Sequence, residues 1–179
     1  CFNKLIGEVL KKEIDNCNQY VTFKRFYQLL IDISGTKEID NNNSFWSNLP
    51  DKALDVIQKS PYYKYFDHLI IDEAQDILNI QNTIILSELL VNNFSKSRLT
   101  IFGDFEWQSL YNDNVDVNDK AHIISPSNLK TDYCNDLVVF SPRVNYRNTP
   151  AVAKQAETLG GMKPGYSECK RPDDNRTPS

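Results

Sequence analysis

The residues best placed by type and spacing to do chemistry are two adjacent acids, Asp72 and Glu73, which follow directly on the apolar run Leu69-Ile70-Ile71. In open α/β sheets ligands bind beyond the carboxyl ends of the strands, so acids that end a buried strand stand where a ligand would be. The Asp72 carboxylate suits Mg2+, a cation that prefers oxygen ligands and keeps several of its waters. Glu73, one residue on, can take a proton from an attacking water or orient it. A purely local alternative stands beside this: Asp72 as the N-cap of the next helix, with Gln75 three residues later completing a capping box. That alternative accounts for Asp72 and Gln75. It leaves Glu73 and Asp76 only the general preference of acids for a helix N-terminus.

Other chemistries find less footing. The four cysteines, Cys1, Cys17, Cys134 and Cys169, form no C-x-x-C pair and have only His68 and His122 to help them. Zinc spacing is therefore missing, and reduced thiols in a cytoplasmic protein are the expectation. The net charge of −4 does not advertise a nucleic-acid binder. Binding depends on a local basic stripe rather than the total, and Lys11-Lys12 and Lys24-Arg25 are candidates for one or for ordinary solvated faces. No apolar run approaches the roughly 18 residues of a membrane span, so no membrane partner is expected. Nothing reads as a signal peptide, and an initial Cys1 leading straight into a helical pattern suggests a fragment.

The elements that must position these groups can be read from hydrophobic period. Leu5, Ile6, Val9, Leu10 and Ile14 predict a helix over 4–14. Phe23, Phe26, Tyr27, Leu30 and Ile33 predict a second from Thr22 to Ile33, with Thr22 as N-cap. Residues 34–48, with Gly35 and three consecutive asparagines, read as a loop, and Asp51 to Gln58 as a short helix. Phe66 to Ile71 has the near-continuous apolar character of a strand buried on both faces of a parallel sheet. A helix over Ile77 to Asn92 and a strand over Arg98 to Phe102 then complete a βαβ unit and predict an α/β architecture. Residues 112–132 read as polar and irregular, Leu137 to Phe140 as a third strand, Thr149 to Leu159 as a helix, and the tail after Gly160 as linker or disordered.

At this point the motifs themselves carry a resemblance. Asp72-Glu73-Ala74-Gln75-Asp76 after an apolar strand closely resembles the Walker B motif of the UvrD/Rep/PcrA-like superfamily 1 DNA helicases, and Gln75 separates it from the superfamily 2 pattern. Gly103-Asp104-Phe105-Glu106-Trp107-Gln108-Ser109-Leu110-Tyr111 resembles motif III, with one extra residue between Asp104 and Gln108. Asn145-Tyr146-Arg147-Asn148-Thr149-Pro150 resembles motif IV, although by itself it also fits a surface arginine ahead of a helix capped by Thr149 with Pro150 at its first position. Cys1-Phe2-Asn3-Lys4 is similar to the end of motif Ia, and Val21-Thr22-Phe23 to the segment after it, with Lys24 where histidine is usual. The resemblance runs from residue 1 to about 165 and is most similar to compact bacterial helicases often fused to a NERD nuclease-related domain.

The resemblance implies a RecA-like P-loop NTPase motor with a parallel sheet, using ATP and Mg2+ to move along single-stranded DNA, RNA not being excluded. It implies that Asp72 binds the metal, that Glu73 is the catalytic base, and that Gln75 and Asp104 lie on the nucleotide side. Gln108 would sense the γ-phosphate, Arg147 would be an arginine finger, and Phe2, Asn3 and Tyr111 would face DNA. Residues 1–135 are then the latter part of a first motor domain, and 136–179 the start of a second with a C-terminal linker.

One essential part is missing. A motor needs G-x-x-x-x-G-K-[ST] to cradle phosphates, and of the six glycines only Gly160 and Gly165 have the spacing, followed by Tyr166-Ser167 instead of the lysine pair. The expectation is a motor truncated at both ends, inactive alone and dependent on the rest of the helicase polypeptide. Two rivals remain. One is a non-catalytic accessory module that kept the motor fold. The other is a metal-dependent nuclease built on Asp72, Glu73, Asp76 and Asp104, which would need a further lysine or histidine near the acids, and only His68, expected to face into a buried strand, is close in sequence.

Overall fold

Three helices precede the first strand, and both tertiary contact and local signal shape their ends. The computed structural model describes residues 4–17, 20–37, 43–60, 64, 66–105, 124–160 and 168–170. Helix α1 spans Lys4–Cys17 and α2 spans Phe26–Ser34. The helix expected to start under Thr22 starts four residues later, with Arg25 at the cap position and no side-chain capping bond. Residues 21–25 stay extended because Phe23 and Arg25 lie along α1: a Cβ placed on Gly7 would sit 3.3 Å from Arg25 Cγ and 3.7 Å from Phe23 Cε1. Gly35 ends α2 in the left-handed region, at φ 64°, where only glycine avoids a Cβ penalty.

Helix α3 spans Asn43–Lys59, so the expected loop over 34–48 gives way to helix from Asn43 onward. Its aromatic start is the reason. Trp46 meets Tyr27 of α2 edge-on, with ring centroids 5.7 Å apart, and Phe45 stacks edge-on against Trp46 at 5.0 Å. Leu49, Ala53 and Ile57 then continue inward at four-residue spacing, and all three are buried. α3 packs against α2 on one side and against α4 on the other.

Strands β1 (His68–Ile71) and β2 (Arg98–Ile101) pair in parallel, in register from His68↔Arg98 to Ile71↔Ile101. Phe66, expected inside β1, makes only an isolated bridge to Leu90. The strand is also not buried on both faces. Ile71 is buried, but Ile70 is 61% exposed and His68 is exposed, as is Phe102 beyond β2. Among the described residues this sheet has two strands and no layer on the Ile70 side, so the usual double covering of a parallel sheet is incomplete.

The single helix expected over 77–92 is instead a 3-10 turn, Ala74–Asp76, followed by α4, Ile80–Glu88. Asn79 caps α4: its side chain accepts from the Asn82 N–H at 2.8 Å. The capping alternative for Asp72 is not realised: the 3-10 turn has Glu73 at its cap position with no side-chain capping bond, and α4 begins under Asn79.

The core of this unit gathers Phe26, Leu30 and Ile33 from α2, the α3 stripe, Ile71, Leu78, Ile85, Leu89 and Phe94. Ile124 and Leu129 join it, with the Ile124 N–H donating to the Leu78 carbonyl at 2.9 Å. Part of the segment expected to be irregular is thus helical. Ser125 caps a short α5, Pro126–Asn128, which widens into a π turn over Leu129–Tyr133. The Ser-Pro pair is the local cause, an N-cap followed by a residue suited to the first helical position.

The chain divides into two compact units, residues 1–137 and 138–179. In the second, Val138, Val139 and Phe140 are exposed and form no strand, against expectation. An apolar run becomes a strand only where a neighbour supplies backbone partners, and none does so among the described residues. β3, Val144–Asn145, pairs in parallel with β4, Glu168–Cys169, so part of the tail expected to be a linker is paired backbone. Helix α6, Pro150–Gly160, begins where expected, and the Val152 N–H reaches Thr149 Oγ1 at 3.4 Å. Among the described residues no helix is long and apolar enough to cross a membrane.

Candidate functional site

Because β1 and β2 are parallel and in register, their carboxyl ends finish side by side, and the backbone is tied together just beyond them. The Phe102 N–H donates to the Ile71 carbonyl at 2.8 Å, and the Ala74 N–H donates to the Phe102 carbonyl at 2.9 Å. Asp72 and Glu73 therefore occupy a tight two-residue excursion whose ends are both pinned to Phe102. Glu73 makes the reversal in the left-handed conformation, φ 52°, ψ 48°. A residue with a Cβ pays roughly 1–2 kcal/mol there, a strain that persists only where the surroundings impose it. The Asp76 N–H then donates to the Glu73 carbonyl at 3.0 Å and closes the 3-10 turn.

Gln75 contacts this turn from a buried position. It is 1% exposed, and its amide is used at both ends. Nε2 donates to Glu73 Oε2 at 2.8 Å, and Oε1 accepts the Asp104 N–H at 3.1 Å. The assignment of the amide follows from its partners, a carboxylate that can only accept and an N–H that can only donate. Gly103 lies close beside the amide: a Cβ there would lie 2.8 Å from Gln75 Oε1 and 2.9 Å from Phe105 Cε2, so these side chains would have to shift. Asp72 is exposed, while Glu73 and Asp104 are half-buried.

The field at this end of the sheet is negative. Burial raises the Asp76 carboxyl above the ordinary carboxylate range, and the charge of Glu73 adds to it. Burial also raises the Tyr27 phenol, with Asp76 as the second cause, so the acids reach back toward the aromatic contact of α2 and α3. Among the described residues no group of three or more His, Cys, Asp or Glu side chains is placed to hold a metal ion. A single exposed carboxylate such as Asp72 is a ligand that Mg2+ uses together with waters and substrate phosphates.

Of the residues singled out from sequence, the structure brings Asp72, Glu73, Gln75 and Asp104 together. Phe2, Asn3, Gln108 and Tyr111 lie outside the described residues. Arg147 belongs to the second unit, where it is exposed and its N–H donates to Asn145 Oδ1 at 3.0 Å. The same oxygen accepts the Asn148 N–H at 3.0 Å, so Asn145 shapes the turn that carries Arg147. His68, expected to face inward, is exposed and pairs with Thr100 Oγ1 at 3.1 Å, at the amino end of β1 and away from the acids. His68 therefore does not stand beside the acids. Gly103 and Asn145 open the two later motif-like segments but were given no role from sequence. A glycine directly after a strand and an asparagine two residues before an arginine turn were the available signals. No protein-family profile, curated protein or solved structure matches the chain.

Proposed function

We propose that this chain carries part of the ATP-hydrolysing centre of a RecA-like, superfamily 1 translocase of the UvrD/Rep/PcrA kind, which moves along single-stranded DNA. The observation that carries the reading is the Gln75 side chain, which joins the acid after β1 to the backbone after β2 at the end of a parallel sheet where ligands bind. In this reading Asp72 holds Mg2+, which when bound would offset charge on the phosphate oxygens. Glu73 takes the proton of the attacking water. With Gln75 donating to Oε2, Oε1 is the oxygen able to receive it. Gln108 and Arg147 retain the roles the resemblance gives them, sensing and neutralising the γ-phosphate.

The 179 residues contain no G-x-x-x-x-G-K-[ST], so the reading needs a phosphate cradle from another segment of the natural polypeptide. That same lack favours the second reading, an accessory module with the motor fold and no hydrolysis. Single-stranded-DNA-stimulated ATP hydrolysis by the natural polypeptide separates them. The motor reading expects robust stimulation and a loss of about a hundredfold or more in Glu73→Gln, the scale of a lost general base. Absence of stimulated hydrolysis, or an unaffected variant, overturns it in favour of the accessory module.

A further inference from the structure

Gln75 entered the sequence reading as a residue on the nucleotide side, but its geometry is that of a part that never meets a ligand. It is 1% exposed, and both ends of its amide are committed within the protein. The two partners lie 2 and 29 residues away, one on each strand end. We propose that Gln75 is a positioning residue, keyed by Gly103, that holds the Glu73 carboxylate in its strained left-handed turn and ties it to the end of β2. The inference rests on the motor reading above and goes beyond it by assigning a role to two residues that touch no substrate.

Three features combine in this assignment. Glu73 sits at φ 52°, a conformation with an intrinsic cost, and the Gln75 Nε2 donor is the side-chain contact that retains its carboxylate there. The Asp104 N–H bond to Oε1 means that any displacement of the β2 end pulls on the same amide. Gly103 completes the arrangement, because a methyl at that position falls 2.8 Å from Oε1, far inside van der Waals contact. A shift at either strand end is thereby transmitted to the orientation of the water-activating oxygen, and a base turned by a small angle loses rate without losing substrate affinity.

Two substitutions break the device at different points. Gln75→Glu keeps the acceptor toward Asp104 and replaces the donor toward Glu73 by a second carboxylate. Gly103→Ala leaves both groups chemically intact and displaces Oε1. In the natural polypeptide, with Glu73→Gln beside them, both variants are expected to lower kcat for ATP at least about tenfold with KM within about twofold. The split between kcat and KM separates positioning of the base from loss of substrate binding.

If Glu73→Gln collapses while Gln75→Glu and Gly103→Ala keep wild-type kcat, the positioning role is wrong and the motor reading stands. If Glu73→Gln is itself without effect, the motor reading fails and takes this inference with it. Should the variants not fold, amide exchange in the wild-type 179-residue chain decides. A slowly exchanging Asp104 amide supports the bridge, and exchange as fast as in an open loop overturns it.

Discussion

At the scale of single residues, two aspartates in the first unit have opposite relations to stability, and the difference follows from what surrounds them. Asp32 is exposed and is held by hydrogen bonds from Lys24 and then Gln28, which lower its pKa. Its contribution is present above the ordinary carboxylate range and is lost as pH falls, though solvent screening keeps such a pair small. Asp76 is raised, first by burial and then by Glu73. The folded protein therefore binds that proton more tightly than the unfolded chain does. The stability associated with neutral Asp76 is complete below the unfolded value and is lost as pH rises through the folded one. Asp76→Asn is accordingly expected to raise the urea midpoint at about pH 7 and to leave it nearly unchanged at about pH 3, where the wild-type side chain is also neutral. An equal gain at both pH values would mean that charge is not the cause. None of this was legible in the sequence, where Asp76 read as an acid near a helix start or as one acid of a nuclease site. Its burial, and the closeness of Tyr27 on α2, arise from the tertiary fold and not from neighbouring sequence. The double use of Gln75 was hidden for the same reason, since its second partner is 29 residues away.

At the scale of elements, hydrophobic period found β1, β2 and all the longer helices, and erred where packing or an unpartnered backbone overrode local signal. The Asn-rich stretch before α3 looks like loop until Phe45 and Trp46 are seen anchored on Tyr27. The run Leu137 to Phe140 has strand composition but no described partner, and composition cannot supply one. The most instructive miss is the helix expected over 77–92. Its apolar pattern runs on through Ile77 and Leu78, which are buried but precede the helix, because Asn79 is a stronger start signal than the period. That cap is testable. Asn79→Ala removes the acceptor of the Asn82 N–H and should destabilise the first unit by about 0.5–2 kcal/mol, read from chemical denaturation. Asn79→Ser or Asn79→Asp should recover most of the loss. Equal destabilisation by all three would show that Asn79 acts by packing and not as a cap.

At the scale of the whole molecule, the two units meet the motor reading unequally. The first supplies a parallel strand pair whose carboxyl ends present Asp72 and Glu73, but one face of that pair is open at Ile70 and Phe102. Parallel sheets are normally covered on both faces, so in the motor reading further layers of the polypeptide close this one. The second unit supplies an exposed Arg147 on a turn fixed by Asn145. The sequence contains no G-x-x-x-x-G-K-[ST] to cradle phosphates, and that has a thermodynamic consequence for the 179-residue chain. A ligand at about a hundred times its dissociation constant stabilises a protein by about 2.7 kcal/mol, which in a chain of this size raises the unfolding midpoint by roughly 5–10 °C. A complete nucleotide site of ordinary affinity would show such a shift at about 1 mM ATP with Mg2+. Asp72 and waters alone would not, because a single carboxylate binds Mg2+ weakly and nothing orients the triphosphate. The expected result for this chain is a shift of less than about 1 °C with ATP and Mg2+ together, no larger than with Mg2+ alone. A shift of several degrees that disappears in Asp72→Asn would mean that these 179 residues contain a phosphate cradle of a kind their glycines do not announce, and the division of labour proposed for the motor would have to be redrawn.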